Sequence, residues 1–111
     1  MDGLKAINDM NELQKRLNEA IKIMGKTGRA WASAEREYKI ALMQETLKEK
    51  NKGTAATLID KIVKGVVADQ KFQRDEAEVL WKTAQENVNS IKLQIRVLDN
   101  QIEREWGQSG K

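Results

Sequence analysis

Between Ala77 and Ile102 apolar residues return every seven positions without a slip: Ala77, Ala84, Ile91 and Leu98 in one series, Trp81, Val88, Ile95 and Ile102 in the other. Spacing that alternates three and four places both series on one side of an α-helix, and four unbroken heptads point to coiled-coil-like packing. No stretch of the chain alternates strictly between apolar and polar residues, so no strand is expected. None of the 111 residues is proline, which leaves glycine as the only strong helix breaker. The expected fold is all-α: an elongated helical hairpin or bundle, one domain over 1–111, with a long C-terminal coiled-coil-like helix.

The glycines suggest where the helices stop. Gly25 and Gly28 bracket Lys26 and Thr27, Gly53 follows the polar run 48–52, Gly65 separates two apolar stretches, and Gly107 and Gly110 lie near the end. Helices are therefore expected at about 4–24, 29–50, 57–64 and 66–106, with a tail at 107–111. The first carries one stripe, Met10, Leu13, Leu17, Ala20 and Met24, widened by Ile21. The second has Trp31, Ala34, Tyr38, Ala41 and Leu42 on one face and Ile40, Met43 and Leu47 nearly opposite, at 100° per residue. A helix apolar on two sides is expected to form the middle layer between neighbours. Thr57-x-x-Asp60 has the form of a capping box for the third helix. That helix either ends at Gly65 or runs straight on into the fourth.

Lengths then constrain assembly. At 1.5 Å per residue the fourth helix spans about 60 Å and the second about 33 Å. A hairpin of the two covers only the half near Phe72 and Trp81. The far half needs either the first helix continuing in line or a second subunit. Leu93 and Val97 add apolar surface on its back, which favours a homo-oligomer with an interface drawn from Val88, Ile91, Leu93, Ile95, Val97, Leu98 and Ile102.

Composition removes most chemistry. The chain is 40% apolar, 33% charged and 5% aromatic, with no cysteine and no histidine. Disulfides, Cys/His zinc sites, and Ser-His-Asp or Cys-His nucleophiles are excluded. The close carboxylate pairs, Glu35/Glu37, Glu76/Glu78 and Glu103/Glu105, are two residues apart and point to different sides of a helix. Gly25-Lys26-Thr27-Gly28 lacks the glycine a phosphate loop needs five residues earlier, where Ala20 stands, and is expected to be an inter-helix turn. No catalytic residue, cofactor or metal is expected. No run reaches 18 apolar residues and no charged-then-apolar leader is present, so a cytoplasmic protein, neither membrane-spanning nor exported, is expected.

Charge offers a second kind of partner. The net charge is only +3, but residues 46–74 hold seven Lys and Arg against three acids. Lys48, Lys50, Lys52, Lys61 and Lys64 surround the expected hairpin end and could meet phosphates, in a weak, salt-sensitive and sequence-blind way, or simply solubilise the linker. Trp31, Tyr38, Phe72 and Trp81 are assigned to the core rather than to base stacking. Trp106, at Gly107, is either a core cap or an exposed contact.

Two stretches carry a family likeness. Residues 29–39 contain Ala34-Glu35-x-x-Tyr38-Lys39, and residues 89–106 end in Lys92-Leu93-x-x-Arg96-x-Leu98-x-x-Gln101-Ile102-x-x-Glu105-Trp106. Lys64-Gly65 and Arg74-Asp75-x-Ala77-Glu78 fit between them. Over most of 29–106 the chain resembles small helical proteins encoded by tailed phages and prophages of Gram-positive bacteria, often near early or replication genes. The resemblance brings no established activity and no catalytic residues. It implies an interaction protein that self-associates and binds a host, defence or replication protein; the alternative is a sequence-nonspecific nucleic-acid accessory factor in phage replication or recombination.

Overall fold

The computed structural model describes the backbone of residues 3–109 and the side chains of 3–107. The chain is all-α, with three helices among the described residues: α1 (Gly3–Asn51), α2 (Ala56–Val66) and α3 (Ala68–Ser109). It divides into two compact units. Unit one joins residues up to Gly25 with those from Lys82 onward, and unit two comprises Lys26–Trp81.

The expected turn at Gly25–Gly28 does not form. The first two expected helices are one, because α1 runs unbroken through both glycines. Two glycines cost a helix about 1 kcal/mol each relative to alanine. The apolar spacing nevertheless continues in step, from Leu17, Ala20 and Met24 through Thr27 to Trp31, Ala34, Tyr38 and Ala41. Packing along that seam outweighs the local preference to break. α3 likewise continues through Gly107 to Ser109, so the expected tail starts later, and residues 110–111 lie outside the described ones.

In unit one α1 and α3 are antiparallel, with Gly3 against Trp106. Ala20, Val88 and Ile91 form a buried cluster on which Leu17, Met24 and Ile95 pack. Ala6, Ala84 and Leu98 extend the buried seam. This overturns most of the expected oligomer interface. Val88, Ile91 and Leu98 are buried within the chain, and Ile95 and Ile102 are half-buried in the same seam. The reason is the missing turn: residues of α1 before Gly25 supply the cover. Leu93 and Val97 alone of the seven stay on the outside.

In unit two the C-terminal part of α1 ends in a full helix-stop motif. Gly53 takes φ +78°, its N–H donates to the Lys50 carbonyl, and the Thr54 N–H donates to the Glu49 carbonyl. Residue 53 must be left-handed there, which glycine adopts freely. The expected capping box does not form: α2 starts a residue earlier, at Ala56, with Ala55 before it and no side-chain cap. Backbone N–H groups of Leu58 and Ile59 reach the Ala55 carbonyl instead. The break between α2 and α3 falls at Val67 (φ −97°, ψ 15°), not at Gly65, which lies inside α2. Val67 is 1% exposed, so burial of its side chain holds the bend.

Candidate functional site

Unit two contains a polar layer inside an otherwise apolar seam. The Trp31 and Trp81 rings stack at 5.0 Å between centroids and 16° between planes. Beyond them, Arg74 occupies the inward position seven residues before Trp81. Its guanidinium sits 4.7 Å over the Tyr38 ring, donates to Asp75 Oδ1 through Nε (3.0 Å) and Nη2 (2.9 Å), and lies 3.7 Å from Glu35 Oε1. The bond to Asp75, with help from Glu35, holds the Arg74 pKa above its ordinary value. Sequence reasoning stopped the heptad at Ala77 and missed this hub. The signal was present: stepping back by four and three from Ala77 reaches Gln73/Arg74 and Gln70, polar residues in apolar register.

The lysines at the helix end are mostly engaged locally. Lys48 pairs with Glu45 (3.0 Å), Lys52 with Glu49 (3.5 Å) and Lys64 with Asp60 (3.0 Å), each one turn apart on its own segment. Lys50 and Lys61 have no ion pair among the described residues. Glu49 is the buried member of this end: the Thr54 hydroxyl donates to its Oε2 at 2.6 Å. That hydrogen bond, with Lys52, lowers the Glu49 pKa against the opposing effect of burial. Of the aromatics assigned to the core, Phe72 is a correction. It is 66% exposed, beside Lys71, because the seam positions around it are Gln70 and Arg74. Trp106 is 57% exposed, and its ring lies 3.4 Å from where a Cβ on Gly3 would stand.

The apolar surface left uncovered is extensive. In unit two Ile40, Met43 and Leu47 are exposed on α1, at 140–200° around the helix from Tyr38 by the 100° rule. They were expected inside a middle layer, but nothing in unit two reaches that side of α1. Arg36 and Lys39 border them. α2 packs only part of its apolar sector: Val63 is buried while Leu58, Ile62 and Val66 stay exposed. In unit one a shallow groove runs between the helices, floored by Leu13 and Leu98 and edged by Leu93 and Val97. Asp9, Glu12 and Arg16 form its α1 rim.

Among the described residues no three or more acidic side chains gather as a metal site would require, and no helix is long and apolar enough to cross a membrane. Compared with protein families, curated proteins and solved structures, the chain matches none.

Proposed function

We propose that this chain is a non-enzymatic helical interaction protein. It associates with itself and binds a second protein through outward apolar helix faces. In keeping with the phage-protein resemblance, that partner is a host, defence or replication protein in the bacterial cytoplasm. The observation that carries the reading is the stripe Ile40–Met43–Leu47 on the side of α1 turned away from Tyr38, together with Leu58, Ile62 and Val66 on α2. Soluble chains rarely leave runs of aliphatic side chains in water unless a partner covers them, and a four-three spacing along a helix suits an amphipathic helix of that partner. A nuclease-treated pull-down from bacterial lysate tests this, with Met43→Glu and Ile62→Glu as controls. Both residues are exposed, so the variants keep their helicity. The reading expects a protein retained by the parent chain and lost from both variants; retention indifferent to both substitutions refutes it.

A second reading rests on Phe72, exposed beside Lys71, with Lys50 and Lys61 unpaired among the described residues. One exposed ring beside a lysine is a minimal stacking site for single-stranded nucleic acid. A mobility shift at low salt that fades toward physiological salt, and disappears in Phe72→Ala, would favour it.

A further inference from the structure

The outer stripe of α3 in unit one is symmetric in a way the inner seam is not. Glu86, Ser90, Leu93, Val97, Asn100 and Arg104 are all exposed and spaced by four and three, so they line one side of the helix. The stripe is centred on Ile95: reversed, it lays Leu93 on Val97, Ser90 on Asn100, and Glu86 on Arg104. Apolar meets apolar at the centre, polar meets polar next, and opposite charges meet at the ends. Neither Glu86 nor Arg104 has an ion pair among the described residues.

α1 repeats the pattern independently. Gly3 lies against Trp106, and counting inward from that pair places Gln14 opposite Ile95. Glu12 and Arg16 stand equally far on either side of Gln14, on the groove rim beside Leu93 and Val97. They too lack ion-pair partners among the described residues. An axis through Ile95 on α3 thus brings Glu12 onto Arg16 without any adjustment.

We infer that the occupant of this groove is a second copy of the chain. The two copies pack unit one against unit one about a two-fold axis at Ile95, α3 antiparallel on α3 and α1 antiparallel on α1. Such a contact is isologous, so each charge pair occurs twice. In antiparallel helix pairs flanking charges choose orientation and register, while the central aliphatic residues supply the adhesion. One pair opposes the arrangement: Asp9 falls opposite Glu19. The inference rests on the self-association part of the proposed function and assigns it a surface.

The test is the mass in solution by light scattering, with helicity checked by circular dichroism. All substituted residues are exposed in the chain, so folding is preserved. The parent chain is expected at twice the chain mass in the micromolar range, and Val97→Glu at the single mass. Glu86→Arg and Arg104→Glu each make both end pairs repulsive and should weaken the dimer by about tenfold. Mixed together they restore both pairs and should form a heterodimer. Asp9→Lys should tighten the dimer. A parent chain of single mass overturns self-association itself. A dimer that survives Val97→Glu and ignores both charge reversals overturns this surface alone and leaves self-association to another face.

Discussion

The Trp81 indole occupies the place where a side chain at Gly28 would begin. A Cβ on Gly28 would come 3.1 Å from Trp81 Nε1 and 3.3 Å from Cδ1. Trp81 is also stacked on Trp31, one turn further along α1. Gly28 is thus a packing residue. It lets the helix backbone approach a large ring, and that contact keeps α1 continuous where its composition invites a break.

Gly28→Ala is therefore expected to destabilise the protein although alanine is the better helix former. The propensity gain is about 1 kcal/mol, while forcing a methyl into a well-packed seam costs about 1–3 kcal/mol. The stacked Trp31 leaves Trp81 little room to retreat. Urea unfolding should give a net loss of about 1 kcal/mol, and the same substitution in a Trp81→Leu background should lose its penalty. An additive double-mutant cycle would contradict the contact.

Gly65 and Gly53 should behave oppositely to one another. Gly65 is exposed inside α2 with nothing within 4 Å of its missing side chain. Gly65→Ala should stabilise by about 0.5–1 kcal/mol. Gly53, also open, sits at φ +78°, where an L side chain is strained, so Gly53→Ala should destabilise by about 1 kcal/mol. Thermal melts of the two variants check the signs.

These glycines also show how far the sequence could be read. The helical class and the inward face from Trp81 to Ile102 followed from the heptad, because burial obeys that periodicity. The helix count did not. A glycine at a turn and a glycine beneath a tryptophan look alike in one dimension, and only the heptad passing in step through Met24, Thr27 and Trp31 separated them. Once α1 was cut at Gly25 in the expectation, the far half of α3 looked uncovered, and an intramolecular seam was assigned to an interface. Ile40, Met43 and Leu47 misled for the opposite reason: a second apolar face does not by itself place its cover in the same chain, and all three are exposed. Arg74 was overlooked because a charged residue in apolar register reads as the end of a stripe, whereas here Glu35, Asp75 and the Tyr38 ring accommodate it.

Glu49 should give the protein an acid-sensitive helix end. The Thr54 hydroxyl and Lys52 favour its ionised form, lowering its folded-state pKa below the ordinary 4.5. A depressed carboxylate contributes stability that is complete above the unfolded-state value and is lost as pH falls through the folded-state value. Stability should therefore decline below about pH 4.5, and Thr54→Val should shrink the difference between neutral and acid stability by removing the largest of the effects that favour the ionised Glu49. Carboxyl chemical shifts of Glu49, followed by NMR with and without Thr54, report the direction directly.

Ile91 and Leu93 stand two residues apart on α3 and turn to opposite sides, Ile91 2% exposed against Ala20 and Val88, Leu93 55% exposed beside the groove. The same truncation should thus have two different signatures. Ile91→Ala removes buried methyl groups and leaves a space between two helices that cannot close on it, at a cost of about 2–4 kcal/mol whatever the protein concentration. Leu93→Ala leaves the seam untouched and should change the stability of dilute protein by less than about 0.5 kcal/mol. Association through the Leu93–Val97 stripe would add stability that grows with concentration, since only the folded chain presents the stripe. The melting temperature of the parent chain should then rise with concentration, and that of Leu93→Ala should rise less. Parallel concentration series for the two would place Leu93 outside any contact between copies, while a large loss in dilute Leu93→Ala would place it in the seam.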